Sequence, residues 1–426
     1  MSNTWPKDKR REVFSWCLFD FANSSFTTVI VTVVFSKFFT DAVARDDGDL
    51  WSVALTVSNG LIILSAPFVG AIADRSSRKK RFLLASYLTC VLFTALLYGS
   101  GPSVVAWSFV CFVIANLAFA SGENLVSAFL PEIVEPDEIG KVSGWGWGIG
   151  YLGGLLSLVI CIPLVETGRI AATNLVVAAF FLLAGLPTFL FVRERTSQRP
   201  PARPALGGPL REAFAEVRAT LQHRHALPEL FRFLLAYVVF STGVYGVIQF
   251  ASILGSRVFG LDDQALIRAF ILAQVTAAIG ALLVGPGIAR LGGLRFIRCT
   301  LILWTLVGLT ALTLKSQLGF WLIAGLAGLA MGATLAGARA VVGIFCPRSR
   351  SGEIFGFWGL AGRTAAILAP AGNFCLLKLT SFGPRAGLYY FTASFLLGLW
   401  LLRGIDEAKG RARVTRTGDA ALQETT

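Results

Sequence analysis

Long apolar runs separated by short polar connections dominate this chain of 426 residues. A helix needs about 20 mostly apolar residues to cross a bilayer, and twelve stretches approach or exceed that length. Their approximate limits are 13–39, 50–72, 82–99, 104–129, 142–164, 170–191, 231–256, 265–289, 296–314, 320–346, 355–377 and 387–402. The pattern predicts an all-α membrane protein with twelve transmembrane helices.

One connection is much longer than the others and is rich in Arg and Pro. It divides the chain into an N-terminal six-helix half (1–191), a linker (192–230), a C-terminal six-helix half (231–402) and a tail (403–426). The second part of the linker, 210–225, has the pattern of an amphipathic surface helix. The first apolar run is about 27 residues long, whereas a signal peptide has 7–15 apolar residues. We therefore expect the first span to be retained.

Composition agrees with this pattern. Apolar residues make up 55% of the chain, charged residues 15%, and the mean hydropathy is +0.68. A soluble domain has about 25% charged residues, and a chain this apolar would leave large hydrophobic patches in contact with water. These values exclude disordered chains and almost all soluble enzymes, and they make a lipid bilayer the expected environment.

The net charge of +13 would suit a nucleic-acid partner, but the positions of the cations favour another interpretation. With both termini cytoplasmic, 28 of the 38 Lys and Arg residues fall in cytoplasmic segments, 7 fall outside and 3 lie within spans. This asymmetry follows the positive-inside rule. We expect an inner (plasma) membrane protein with both termini in the cytoplasm and no nucleic-acid partner.

The two halves share sequence features at similar offsets. Glu123 and Arg339 each lie eight residues before a proline, an offset of 216. The segments that begin at Gly70 and Gly285 align at an offset of 215, and Ser143-Gly144 aligns with Ser351-Gly352 at 208. Parallel repeats of a six-helix unit are the arrangement of major facilitator transporters. Chance similarity between apolar sequences is the alternative.

Two sets of motifs resemble a known family. The segment Gly70-Ala71-Ile72-Ala73-Asp74-Arg75-Ser76-Ser77-Arg78-Lys79 resembles the loop between helices 2 and 3 of the major facilitator superfamily, with Ser77 in place of the usual Gly. The segments 19–26, 124–131, 142–154 and 355–363 resemble the "unknown major facilitator" branch, whose fungal relatives are autophagy-linked vacuolar amino-acid effluxers. The resemblance covers essentially the whole chain. It implies a major facilitator fold and a transport function.

Charged side chains also lie within the expected spans, where each charge costs at least ~2.5 kcal/mol at mid-depth. Lys37 is near the outer end of helix 1, so it can extend to the interface. Asp20, Glu123, Arg339 and Arg363 are expected ~10–13 Å deep from the cytoplasmic side, at 1.5 Å per residue. The resemblance implies that helices 1, 4, 7 and 10 line a central cavity. It also adds Asn23 and Asn124, in the signature segments, to this candidate substrate and proton site.

The chemistry of these groups suits a zwitterionic solute. A carboxyl group such as Asp20 or Glu123 can bind and release a proton as its pairing with Arg changes. The planar fork of Arg339 or Arg363 can hold a substrate carboxylate. The alternative is that these charges form ion pairs that only hold helices together.

A second candidate site is the cytoplasmic gate, which comprises Gly70, Asp74, Arg75 and Arg78. Asp74 can lie against the N-terminus of helix 11, where the helix dipole stabilises a carboxylate. By resemblance, this contact closes the cytoplasmic side and breaks during transport. The second copy of the loop has Ala289 in place of the acid. The alternative is that the loop charges only set topology.

Glycines recur in helices 5 and 11, among them Gly146, Gly150, Gly154 and Gly359. A dinucleotide site would need a strand and a βαβ unit, so close helix packing is the better interpretation. The helix 5 run also resembles an antiporter motif, but Tyr151 replaces its proline. Tyr245, Gln249, Phe250 and Asn116 are either cavity contacts or packing residues.

The sequence as a whole predicts a secondary active transporter of a small polar or zwitterionic solute, such as an amino acid for efflux. We expect alternating access, proton coupling, a monomeric state, and neither a metal nor a cofactor. A multi-span membrane enzyme would need a catalytic cluster, and no span contains a histidine. A non-transporting lipid-handling or receptor-like relative on the same fold remains an alternative.

Overall fold

The computed structural model describes residues 5–46, 49–76, 78–195, 224–314, 316–379 and 386–414, together with 214, 217, 218, 220 and 222. Most of the linker, Ser77 and the last part of the tail lie outside the described residues. The predictions made for those segments stay predictions.

The described residues form helices and no strands, which confirms the predicted all-α fold. We number the helices α1 to α12 in the order of the predicted spans. Their bounds are Lys7–Ala44, Asp49–Arg75, Lys79–Leu96, Val105–Ile133, Ile139–Glu166, Ala172–Phe191, Pro228–Phe259, Asp263–Leu282 with its continuation Val284–Leu291, Gly293–Thr313, Gln317–Ile344, Ser351–Leu379 and Ala386–Leu402. In the described part of the chain, eleven of these helices are long and apolar enough to cross a membrane. The twelfth, α12, qualifies only together with the helix Glu407–Val414, from which it is bent by 64°.

Local sequence sets several helix ends. Pro228 starts α7, where a missing N–H costs nothing, and Gly260 ends it in the left-handed conformation at φ 67°. Asp262 caps α8 by accepting from the Ala265 N–H at 2.7 Å. Ser316 caps α10 by accepting from the Gly319 N–H at 3.1 Å. Each cap satisfies a backbone donor that the helix itself leaves open.

Several helices extend beyond the apolar runs that predicted them, which changes two expectations. Helix α4 continues through Pro131 to Ile133, whereas α10 ends at Ile344, before Pro347. Glu123 and Arg339, which were expected at similar depths from ends near 129 and 346, therefore lie ten and five residues from the observed helix ends. Helices α1 and α11 both begin before their apolar runs, because each opens with a charged first turn. Asp20 and Arg363 are therefore further from the helix starts than the apolar limits suggested.

The chain divides into two compact units. Unit 1 contains residues 1–135, 149–217 and 348–359, and unit 2 contains 136–148, 218–347 and 360–426. The first segments of α5 and α11 therefore belong to a different unit from the remainder of each helix.

The two units repeat the same internal packing. In unit 1, α1 packs on α6, α3 on α4 and α6, and α2 on α4; in unit 2, α7 packs on α12, α9 on α10 and α12, and α8 on α10. Aromatic contacts also repeat: Tyr87 meets Phe181 with ring centres 5.3 Å apart, and Trp304 meets Phe395 at 5.1 Å. These contacts add to the sequence offsets that indicated a duplicated six-helix unit.

Apolar side chains cover the outer surface of the helices. Leu64, Leu183 and Trp400 are 68%, 70% and 63% exposed. Such a surface is unfavourable in water but suits lipid tails, in agreement with a multi-pass membrane protein.

Candidate functional site

The C-terminal end of α2 contacts the N-terminal end of α11, and both segments belong to unit 1. Asp74 is 5% exposed, and its two carboxylate oxygens accept from the Gly352 N–H at 2.9 Å and the Glu353 N–H at 2.8 Å. The first N–H groups of a helix have no partners within the helix, and the helix dipole favours a negative charge there. Asp74 is therefore where the sequence analysis expected it, and it stabilises the start of α11.

A buried ionic cluster surrounds this contact. Lys79 is 5% exposed, lies 2.9 Å from Asp74 and also pairs with Glu132 on α4. Its ammonium group donates to Ser351 Oγ at 2.6 Å, and Ser351 in turn donates to Glu132 at 2.9 Å. One cation and two acids thus connect α2, α3, α4 and α11. Because removing one member of such a cluster leaves a buried charge unpaired, the cluster holds these helix ends in one arrangement.

The close approach of α2 and α11 requires glycine on both sides. A Cβ atom at Gly70 would overlap the carbonyl group of Gly352, and one at Gly352 would lie 2.7 Å from the Gly70 oxygen. Arg75 is half-buried at the end of α2, and Arg78 is exposed just before α3. Of the four predicted gate residues, Gly70 and Asp74 make the contact, and the two arginines flank it.

Lys79 lies within the loop motif but was assigned no role, and Glu132 and Ser351 were not predicted as site residues. Lys79 is one of four consecutive basic residues, 78–81, before the apolar run of α3, so the sequence does not distinguish it from its neighbours. Glu132 directly follows Pro131, and Ser351 was noticed only as a repeat marker. Nothing in the one-dimensional pattern pairs a lysine at the start of one helix with a glutamate at the far end of the next.

Buried polar side chains of α1 and α4 form a second group inside unit 1. Asp20, Asn23 and Asn124 are 7%, 6% and 6% exposed. Phe19 approaches Gly122, and the ring of Phe26 stacks on Phe119 at 5.0 Å. Asn23 lies between these two contacts on the same side of α1. The structure therefore brings α1 and α4 together where the sequence analysis placed its candidate residues.

Two amide atoms in this group have unmet hydrogen-bonding capacity. Within the described part of the chain, no hydrogen-bond partner reaches Asn23 Oδ1 or Asn124 Nδ2. Buried polar atoms normally have partners, and each exception requires an explanation. One explanation is that a polar solute or water molecules can form hydrogen bonds with this acceptor and this donor.

The remaining candidate charges differ in exposure. Glu123 on α4 and Arg363 on α11 are each half-buried, so solvent or solute can reach them. Arg363 follows Gly362, whose Cβ position lies 3.5 Å from the hydroxyl groups of Tyr237 and Tyr245. Glu123 belongs to unit 1, and Arg363 belongs to unit 2 with the two tyrosines.

Arg339 is 1% exposed and contacts the start of α5 within unit 2. Its guanidinium group donates to Ser143 Oγ at 3.1 Å and to the Ser143 carbonyl oxygen at 3.0 Å, and it lies 5.5 Å from the centre of the Trp147 ring. Ser143 also donates to the Ala336 carbonyl oxygen at 2.7 Å. Two of the guanidinium nitrogens therefore donate to Ser143 on α5.

Three of the four predicted packing glycines, Gly150, Gly154 and Gly359, lie at close helix contacts. A Cβ atom at Gly150 would lie 3.2 Å from the Asp20 oxygen, and one at Gly154 would lie 3.3 Å from the Ser24 oxygen. At Gly359 it would overlap the amide group of Asn124. Gly146 is buried in the first segment of α5. Small residues let α5 approach α1 and let α11 approach α4.

Comparisons with known proteins point to one family. Residues 50–415 match the family described as "Vacuole effluxer Atg22 like". The chain is 24% identical over 410 residues to the uncharacterized MFS-type transporter YxiO of Bacillus subtilis, covering 92% of this chain and 94% of that one. It is 22% identical over 296 residues to autophagy-related protein 22 of Coccidioides immitis, covering 54% of this chain and 48% of that protein.

Solved structures share the fold. The human organic anion transporter MFSD10 superposes with a TM-score of 0.77 at 18% identity, covering 93% of this chain and all of that one. The proton:xylose symporter XylE gives a TM-score of 0.68 at 13% identity, covering 95% and 97%. At these levels of sequence identity, the comparison shows a shared fold and nothing more specific.

The helical fold, the apolar outer surface and the structural neighbours define a multi-pass membrane transporter of the major facilitator superfamily. The chain belongs to the Atg22-like vacuole effluxer family, since the family match covers most of its length. The matched relatives and structures are transporters. The prediction that the protein is not an enzyme is therefore confirmed.

Proposed function

We propose that this protein is a secondary active transporter of small zwitterionic solutes, with amino-acid efflux as its activity. The observation that carries this proposal is the half-buried Arg363 in the middle of α11, next in the chain to Gly362, whose Cβ position lies 3.5 Å from the hydroxyl groups of Tyr237 and Tyr245 on α7. A guanidinium fork matches the geometry of a carboxylate. The family match to vacuole effluxers supports efflux as the activity.

Proton coupling is the second part of the proposal. Glu123 is half-buried on α4, next in the chain to Asn124, whose Nδ2 has no hydrogen-bond partner among the described residues. A carboxyl group at such a position changes its proton affinity when its surroundings change from wet to dry. Glu123 would therefore bind a proton in one state and release it in another, with buried Asp20 as the second candidate.

The gate and the orientation complete the proposal. The cluster of Asp74, Lys79, Glu132 and Ser351 would close the cytoplasmic side and open during alternating access, because its contacts hold the start of α11. We further propose both termini in the cytoplasm, an inner (plasma) membrane location and a monomeric state. The asymmetry of Lys and Arg supports the orientation.

Binding of amino acids to purified protein tests the substrate class. Amino acids should raise the unfolding temperature of the wild-type protein. Their apparent affinity should fall at least about tenfold in Arg363→Lys, because Lys lacks the bidentate fork. The matched control is Arg268→Lys, an exposed arginine of the same unit. Equal affinity in both variants would exclude Arg363 as the carboxylate-binding group. Lipid-dependent stabilisation with no response to amino acids would favour the non-transporting alternative.

A further inference from the structure

A pocket that the transport function does not use opens in unit 1 at the ends of α1, α4 and α6. Its volume is about 450 Å³, and nine of its thirteen lining residues are charged. All of the lining residues belong to unit 1. Five of them are cations, namely Lys9, Arg11, Arg193, Arg195 and Arg348.

Two of the four acids in the pocket are already neutralised by protein. The side chains of Glu12 and Glu132 are both 7% exposed. Glu12 accepts from the Arg193 N–H at 3.0 Å and from Arg195 at 2.9 Å. Glu132 belongs to the gate cluster, where Lys79 and Ser351 donate to it. Neither carboxylate is directed to solvent, so neither repels an anion strongly.

The cations, in contrast, face solvent. The side chains of Arg193, Arg195 and Arg348 are 76%, 47% and 53% exposed. The other two acids, Asp8 and Glu135, are 82% and 69% exposed and pair with Arg193 at 3.8 Å and with Arg348 at 2.9 Å. Exposed pairs of this kind are weak, so a stronger anion can displace them. Apart from Arg195, which pairs with Glu12, the pocket therefore presents four cations and only two replaceable acids.

Apolar surface adjoins the cations. Leu190, which lines the pocket, is 61% exposed, and Phe14, one turn after Arg11, is 45% exposed. The Arg11 guanidinium lies 3.5 Å from the centre of the Phe191 ring. Exposed apolar residues on these helices mark the surface that contacts lipid tails. The cations thus lie where a lipid headgroup begins.

We propose that this pocket binds a phosphate-bearing anion at the membrane surface, and the adjoining apolar surface favours the headgroup of an anionic phospholipid as its source. Basic pockets between membrane helices bind such headgroups through charge and bidentate hydrogen bonds. Because Glu132 lines the pocket and also accepts from Lys79 in the gate cluster, an occupant would bind beside the proposed gate.

Native mass spectrometry of the full-length purified protein tests the site, with phosphatidylglycerol and phosphatidylcholine as probes. The double variant Arg193→Gln, Arg348→Gln removes two exposed cations of the pocket. The matched control is Arg81→Gln, Arg403→Gln, which removes two exposed cations outside it. Near a membrane surface each Lys or Arg contributes about fivefold in binding. The pocket variant should therefore bind phosphatidylglycerol about twentyfold more weakly than wild type, and the control should bind at least fivefold more tightly than the pocket variant.

Inorganic phosphate in detergent forms the second arm and separates the two sources. If phosphate alone stabilises the wild-type protein and this effect is lost in the pocket variant, the pocket binds phosphate groups. If phosphatidylglycerol has no such effect, the occupant is a soluble phosphate rather than a lipid. Equal phosphatidylglycerol affinity in the pocket variant and the control would overturn the proposal, as would the absence of any preference over phosphatidylcholine in wild type. Unchanged unfolding temperatures in lipid-free detergent verify that both variants are folded. Because the readout is binding, its failure leaves the transport proposal intact.

Discussion

At the residue scale, the contact of Asp74 with the start of α11 depends on few atoms. The carboxylate accepts two backbone N–H groups at 2.9 and 2.8 Å, and Lys79 balances its charge. Charge-assisted hydrogen bonds contribute about 1.5–3 kcal/mol each. Such a contact is strong enough to favour one state of a transporter and weak enough to be broken in a cycle.

Gly70→Ala tests this contact against a matched control. The added Cβ atom would overlap the Gly352 carbonyl group, whereas the same change at Gly60, in the same helix, meets nothing within 4 Å. Overpacking costs about 1–3 kcal/mol, so we expect transport by Gly70→Ala to fall at least about fivefold while Gly60→Ala behaves as wild type. Asp74→Asn should have an effect similar to that of Gly70→Ala. Liposome flux at equal protein content measures the rates, and normal flux in both variants would exclude a gating role.

Sequence reasoning found some of these residues and missed others for physical reasons. Asp74 and Gly70 were found because they lie in a contiguous motif. Lys79, Glu132 and Ser351 meet only in three dimensions, so periodicity could not pair them. Arg339 was correctly expected inside a span, but its contact with Ser143 on another helix was not predictable from spacing.

At the element scale, each unit has a hydrogen bond between its first helix and the segment that follows its last helix. Glu12 on α1 accepts from the Arg193 N–H after α6 at 3.0 Å, and Glu229 on α7 accepts from the Asp406 N–H after α12 at 3.0 Å. The separation of the two acids along the chain is close to the offsets of the sequence repeat. The equivalence of these acids becomes apparent only when the helices are packed.

Glu229→Ala should destabilise the protein, because it leaves the Asp406 N–H without its acceptor. Glu229 is 6% exposed, and an intramolecular hydrogen bond contributes about 0.5–1.5 kcal/mol net. Thermal unfolding in detergent should show a lower midpoint than wild type. Glu166→Ala, at an exposed position, should leave the midpoint unchanged. A wild-type midpoint in Glu229→Ala would show that the contact contributes no stability.

The helix limits were largely predictable, but the internal form of α1 was not. Apolar runs located all twelve helices within a few residues, because bilayer thickness sets their length. Residues Phe26–Val33 and Phe39–Ala44 of α1, however, are π-helical. The Thr32 hydroxyl donates to the carbonyl oxygen of Thr27, five residues earlier, at 2.8 Å. Hydropathy does not encode this register.

At the scale of the whole molecule, the same packing recurs in both units, and the distribution of charge supports the proposed orientation. The same pairs of helices pack in each unit, and the positive charges fall mainly in alternate connections. Duplication explains the paired helices, and membrane insertion explains the charges.

Reporter fusions test the proposed orientation. A fusion at residue 45 should report the outside, and one at residue 200 should report the cytoplasm, because 28 cations fall in the cytoplasmic segments and only 7 fall outside. Fusions that report the same side would contradict the arrangement of twelve spans.

Flux of labelled amino acids in proteoliposomes under an imposed pH gradient tests the central claim most directly. We expect saturable transport in the wild-type protein, at a rate that responds to the pH gradient. Glu123→Gln should lose this response. Arg363→Gln should transport at least about tenfold more slowly, because the bidentate fork is lost. Folded wild-type protein that moves no amino acid above the rate of protein-free liposomes would contradict the account.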